Sequence, residues 1–414
     1  MFSRKRFVKI GRLLILILIG FPSLWVVMKL VKTPNSLTWV PSYTKDLISG
    51  QYGHVDETRH MFVLVCDHWE PGSGQKSFTA AQEWLTKFKQ IADLHHDTEK
   101  RNFRYTWFYP IDNFDHDILA LLSEAANEGY GEVEVHWHHH HSSSSEFERD
   151  LKMALAEFMK AGAITDQSDS GPHFAFIHGN WTLDNSGSPH TCGISDEISI
   201  LMRNGCYADL TFPALGNKAQ PHMINRIYYA IDTPAPKSYD RGIPAKVGSL
   251  GVGLMMIPGP LALDFRDPLR LFENAALDDA EGSGLLARIR KPENYRDYFK
   301  SHRVRLWNQI QVGIEGRPDW VFVKLHAHGM QHRKVLLGGE LDAALSAIES
   351  YCESHGIALH YIVAREAYNL VRAAEQGAIG APEDLYDFAI KPPLNTLAGD
   401  PAQQAALEAP QMQY

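Results

Sequence analysis

Short apolar runs alternate with amphipathic stretches from residue 61 to residue 364, and no other feature of the chain restricts its fold as much. The runs at 61–66, 104–109, 132–136, 173–178, 206–212, 252–257, 320–326 and 358–364 have the length and the β-branched and aromatic content of strands. Helical patterns lie between most of them. Trp84, Phe88, Ile91 and Leu94 share one face of Ala81–Leu94, and Ile118, Leu119 and Leu122 share one face of Asp115–Asn127. Ser195–Arg203 and Asp342–Glu353 stop at Gly205 and Gly356, residues suited to a helix C-terminus. Such alternation predicts an α/β fold with a mostly parallel sheet, and its repeat suits an irregular (β/α)7–8 barrel. Residues 213–250 interrupt it with Pro- and Gly-rich loops and a further strand at Arg226–Ile231, which reads as an inserted lid or substrate wall.

In such a barrel the chemistry lies at the C-terminal ends of the strands. The residues just after each predicted strand are polar and reactive. They are Asp67-His68-Trp69-Glu70, Asp112, His136 to His141, His178-Gly179-Asn180-Trp181 with Asp184 and Asn185, Asp209, His326-Ala327-His328 and Arg365-Glu366. Only the sixth strand, ending Pro258-Gly259-Pro260, is poor in them. Each has a bland reading alone: Asp67 or Asp112 as a helix cap, His178 as a core histidine, Trp69 and Trp181 as packing residues. Their recurrence at one level of the fold predicts a shared site.

The densest stretch is Gly131–Ser145, GEVEVHWHHHHSSSS. Val133 and Val135 alternate with Glu132 and Glu134 as in a strand, which hands over to a helix carrying Phe147, Leu151, Leu155 and Phe158. Ser145 and Glu148 are spaced as a capping box. A purification tag sits at a terminus and is not fused to a strand, so the imidazoles are read as metal ligands. His136 and His140 have the i, i+4 spacing that one ion bridges, with His138 and His139 in reserve. Asp67 and Glu70 supply carboxylates, and His326 or His328 an acid across the barrel.

These residues resemble the polysaccharide deacetylase superfamily (carbohydrate esterase family 4) within the glycoside hydrolase/deacetylase barrels. DHWEP at 67–71, HWHHH at 136–140 and KLHAHG at 324–329 correspond to the family's acidic, His-x-x-x-His and Leu-His motifs. The resemblance spans roughly residues 60–370. It implies a divalent metal, zinc above all, held by Asp67, His136 and His140, with Asp67 and Glu70 as carboxylates of the reaction and His326 as the acid. Asn180, Trp181, Asp184 and His328 are then expected to contact substrate, and the reaction to remove acetyl groups from an envelope or extracellular polysaccharide. The pattern departs from the family's: after the first strand His68 follows Asp67 where a second Asp is usual, the next carboxylate being Glu70, and IHGNW at 177–181 stands where an arginine-proline motif is expected. Two alternatives follow. One is a glycoside hydrolase pairing Asp67 or Glu70 with Asp184 or Asp209. The other is a carbohydrate-binding or assembly protein without catalysis.

Arg4, Lys5, Arg6, Lys9 and Arg12 precede the apolar run Leu13–Met28, closed by Lys29 and Lys32. Residues 1–12 are therefore read as a cytoplasmic N-terminus, 13–32 as an uncleaved membrane anchor, 33–58 as a linker, 59–378 as the catalytic domain and 379–414 as a peripheral tail. The domain would face the periplasm or cell exterior. A formal charge of −9 argues against a nucleic-acid partner. Among the four cysteines, Cys66 and Cys352 read as small apolar groups, whereas Cys192 and Cys206 are candidates for a disulfide.

Overall fold

The computed structural model describes residues 25–49, 59–140, 143–167, 171–187, 190–267, 271–278 and 299–393. The strands are β1 (His60–His68), β2 (Tyr105–Pro110), β3 (Gly131–Trp137), β4 (Thr165–Gln167), β5 (Gly171–His178), β6 (Cys206–Asp209), β7 (Tyr228–Ala230), β8 (Ile243–Pro244), β9 (Leu254–Met256), β10 (Ala262–Asp264), β11 (Leu271–Glu273), β12 (Trp320–Ala327) and β13 (Ala358–Tyr361). The principal helices are α1 (Ser36–Ser49), α2 (Gln75–Ala92), α3 (His116–Asn127), α4 (Ser144–Lys160), α5 (Glu197–Arg203), α6 (His302–Ile310), α7 (Leu341–His355) and α8 (Ala364–Glu375). All eight expected strands are present, within a few residues of their expected ends.

The result is a mixed α/β fold around a mostly parallel sheet, ordered β12-β1-β2-β3-β5-β6-β9-β7-β8, with β13 against β1 and β4 against β5. β1 is central: it pairs in parallel with β12 over its length, with β13 at His60–Val63 and with β2 at Cys66–His68. The sheet's ends approach through residues 312–315. Phe322 of β12 donates its N–H to the Val312 carbonyl, and Ile227, beside β7, donates to that of Gly313. This arrangement is compatible with a barrel. β7 runs antiparallel to β8 and β9, as the interrupted alternation after 213 allows.

Both faces of the sheet are buried, so successive side chains enter different cores. Met61, Val63 and Val65 pack with Trp84, Phe88, Leu119, Leu151 and Leu345 of the covering helices. Phe62, Leu64 and Cys66 pack with Ala364, Ala367, Leu370 and Val371 of α8.

Several expectations change here. Ser36–Ser49, inside the expected linker, is a helix docked on the domain: Trp39 is buried edge-on to Phe272, and Asp46 pairs with Arg226 at 2.7 Å. Of the expected tail, Tyr386 and Ile390 are buried, and their carbonyls accept hydrogen bonds from Arg365. The tail from 394 onward lies outside the described residues. The expected capping box is not formed; α4 begins at Ser144 without a side-chain cap, and Glu148 instead pairs with Arg203. All four cysteines are free and buried, so Cys192 and Cys206 do not pair. Most of the apolar run Leu13–Met28, at 13–24, lies outside the described residues, and among the described ones no helix is long and apolar enough to cross a membrane.

Arg365 and Glu366 leave the expected ring of polar residues. β13 reaches only the first half of β1, so the residues after it fall near the strands' N-terminal ends. Arg365 there forks onto Glu132 at 2.8 and 3.0 Å, and Glu366 receives Arg101 and Arg104. Removing Arg365 leaves the buried Glu132 carboxylate with only Arg104 among the described residues, at 3.4 Å, to balance it. Arg365→Met is therefore expected to destabilise the fold by about 3–5 kcal/mol in urea unfolding, whereas an exposed pair gives below about 1 kcal/mol.

Candidate metal centre

The C-terminal ends of β1, β3 and β12 bring histidines together on the α8 face. In β1 the residue with the parity of Phe62, Leu64 and Cys66 is His68, not Asp67. In β3 it is His136, and the extended chain beyond places His138 on the same side and His139 on the other. In β12 it is His326, followed by His328.

His68, Glu70 and His136 offer donor atoms that all lie within 4.8 Å of one another. The Glu70 carboxylate is 2.9 Å from His136 Nε2 and accepts from Gln331 Nε2 at 2.6 Å. His136 Nδ1 is 3.1 Å from the Ile177 carbonyl. A proton on Nδ1 there leaves the Nε2 lone pair toward the group, the usual second bond of a metal-binding histidine. His68 Nδ1 is buried and has no hydrogen-bond partner among the described residues. Burial, followed by the neighbouring His136 and His328, holds His68 well below its ordinary pKa. Burial also lowers His136, against the pull of Glu70. For Glu70 burial acts upward, but the hydrogen bond and charge of His136 bring its pKa below the usual carboxylate value. One anion and two neutral imidazoles are a donor set that a divalent cation fits.

Two Asp–His pairs flank this group. Asp112 accepts the His138 backbone N–H at 3.0 Å and faces its Nδ1 at 3.3 Å, while His138 Nε2 is 3.5 Å from Glu70. Asp278 accepts the His328 N–H at 2.8 Å and lies 3.0 Å from its Nδ1 and 2.9 Å from His332 Nδ1. Burial disfavours the charged imidazoles, yet their aspartates raise both His138 and His328 above the ordinary value. Trp181 stands beside the group, its ring centroid 6.0 Å from that of His68 and 6.1 Å from that of His328. It has a φ of 57°, left-handed backbone rare for a bulky residue. Gly179 is required nearby: a Cβ there would lie 2.3 Å from the His138 ring.

A second group lies on the opposite face. His139, His178, Cys192 and Glu197 are all buried, their donor atoms also within 4.8 Å of one another, and could hold a metal ion. Glu197 opens α5, and its carboxylate is 2.9 Å from His139 Nε2 and accepts the Asp184 N–H at 2.6 Å.

Of the residues expected to form the site, Glu70, His136, Trp181 and His328 therefore come together. Asp67 does not join them. Its carboxylate accepts the Gly329 N–H at 2.6 Å and the Tyr105 hydroxyl at 3.1 Å, and burial pushes it up to about 8. His140 is exposed and belongs to neither group, because the chain leaves β3 extended and His138, not His140, falls on the side of His136. His326 has a buried Nδ1 with no partner among the described residues, and burial and Lys324 lower its pKa to about 3. Asp184 is buried and bound to the Ser238 N–H, and Asn180 reaches the Thr191 carbonyl. Sequence reasoning missed His68 and Cys192 as ligands, the latter read as a disulfide candidate, and missed Asp278 and Glu197 altogether. Asp278 arrives through Leu277, whose N–H bonds the His326 carbonyl, a contact with no local signature.

The Asp278 pair gives a pH prediction. Burial opposes its charge, but hydrogen bonds from His328 and His332 hold its carboxyl well below the carboxylate range. That contribution is complete above about pH 4 and is lost as pH falls through the lowered folded value. His328, raised on folding, contributes fully below about pH 6.5 and loses this as pH rises through its folded value. Asp278→Asn should therefore lower the urea midpoint most between about pH 4 and 6.5. A difference from wild type that stays constant across acid and alkaline pH would contradict the pairing.

No protein-family model matches the chain, and no curated protein matches it significantly.

Proposed function

We propose that the chain is a metal-dependent hydrolase that removes acetyl groups from a polysaccharide, on an irregular (β/α)7–8 barrel. The observation that carries this reading is the Glu70, His68 and His136 group set between the Asp112–His138 and Asp278–His328 pairs. Two histidines and a glutamate leave coordination positions open, and zinc is the ion this set favours. When bound, the ion supplies Lewis-acid polarisation of a carbonyl and acidifies a water.

The remaining work belongs to the chain's own residues. Asp112 holds the His138 proton at Nδ1, which leaves Nε2 to accept a proton beside Glu70. His328, kept protonated by Asp278, can return one to the leaving group. Trp181 offers an apolar face beside the site, suited to the flat side of a sugar ring. An N-terminal anchor at 13–32 would place this chemistry at the cell envelope. The glycoside hydrolase alternative has less support, because Asp67, Asp184 and Asp209 each hold protein hydrogens at buried positions.

The purified chain is expected to contain a divalent metal and to release acetate from an acetylated glycan, both lost from the Glu70 group in His136→Ala. His138→Ala should retain the metal but lower kcat by roughly 10²–10⁴. Glycan binding without acetate release would favour the non-catalytic alternative, and new reducing ends without acetate the glycosidase. A chain that takes up no metal sinks the hydrolase proposal.

A further inference from the structure

We propose that His139, His178, Cys192 and Glu197 hold a second divalent cation in a closed, structural site. This does not depend on whether the first group is catalytic. All four side chains are fully enclosed, unlike Glu70 and His138, which are partly exposed. His178 Nε2 is buried with no hydrogen-bond partner among the described residues and lies 3.8 Å from Glu197 Oε1. The Cys192 sulfur is 3.4 Å from Glu197 Oε2 and accepts the Asn185 N–H at 3.2 Å. Backbone donors thus already orient both anionic candidates, as supporting bonds around metal ligands do.

Charge and donor count agree. A thiolate and a carboxylate together balance a divalent cation, and two imidazoles complete the four protein donors of a structural zinc site. Without a cation, the group is a His139–Glu197 pair beside a thiol that burial keeps protonated. That arrangement leaves His178 Nε2 unsatisfied, whereas a cation gives it a partner. One contact has to give: the Asn180 N–H is 3.2 Å from His178 Nδ1, which must carry the proton once Nε2 binds.

The consequence is local order. The segment from His178 to Glu197 includes left-handed φ values at Trp181, Asp184 and Asn185, conformations that cost energy unless surrounding bonds enforce them. Tying His178, Cys192 and Glu197 to one ion pins this segment at three points and to the end of β3 through His139. It thereby fixes Trp181 beside the first group. His138 and His139, adjacent in sequence, serve different sites because the extended chain turns them to opposite faces.

Cobalt(II) separates the two sites, because only the second contains a thiol. The metal-stripped full chain, titrated with cobalt, is expected to show thiolate-to-cobalt charge transfer in the near ultraviolet. Cys192→Ser should abolish that band and lower cobalt uptake by one equivalent. His136→Ala should keep the band while losing the other equivalent. A loaded wild type without the band, or a band that survives Cys192→Ser, overturns the proposal. Should Cys192→Ser fail to fold, His139→Gln keeps the thiol and should weaken cobalt binding at the band by more than ~10-fold. Unchanged affinity in that variant also overturns it.

Discussion

Alternation of side chains across a sheet buried on both faces decides what this molecule can do. Extended backbone sends neighbours to opposite sides, and neither side of β1, β3 or β12 is solvent. A residue's partner is therefore set by parity before chemistry enters. Phe62, Leu64 and Cys66 commit His68 to the α8 face, and Met61, Val63 and Val65 commit Asp67 to the helices outside. β3 carries the same logic past its last pair, so one histidine run divides between two groups. A one-residue slip of β1 would exchange Asp67 with His68 and dismantle the first group.

Asp67, which stands outside the candidate centre, fixes the loop that carries part of that centre. Its carboxylate holds the Gly329 N–H, while Trp84 Nε1 donates to the Gly329 carbonyl at 3.0 Å. The approach is so close that a Cβ at 329 would lie 2.1 Å from Asp67 Oδ2. Both peptide groups of Gly329 are thus clamped, and His328 next to it is aimed at the site. The carboxylate's position in the strand matters more here than its basicity.

What the sequence made legible follows from what is local. Strand runs, the glycines ending α5 and α7, and polar residues at strand ends depend on short-range pattern, and each has its counterpart in the structure. Parity was hidden because β1 is apolar in both registers from Met61 to Cys66, so period-2 contrast vanished where it was needed to choose His68 over Asp67. Asp278 and Cys192 come from irregular segments joined to the site by long-range backbone contacts. α1 escaped notice because Pro41 and scattered polar residues obscure its period, although Trp39 and Tyr43 are spaced to share a face. The placement of Arg365 and Glu366 turned on how far β13 extends along β1, which residue types do not encode.

The electrostatics of the first group separate two tasks that one histidine cannot perform together. A ligand must present a lone pair, which protonation removes. Burial supplies that condition for His68, and for His136 against the pull of Glu70, by making the charged imidazole costly. A group that takes up or gives back a proton must reach the charged form, and burial acts against that. At His138 and His328 an aspartate reverses it, through a hydrogen bond that also fixes which ring nitrogen carries the proton. Four neighbouring imidazoles thus divide into neutral and protonatable pairs by a single difference, the presence of an aspartate at Nδ1. Position 326 shows what happens without one: the strand delivers a histidine to the right face, and its surroundings leave it neutral. The aspartates, rather than the surplus of histidines, give this arrangement its capacity for acid–base work.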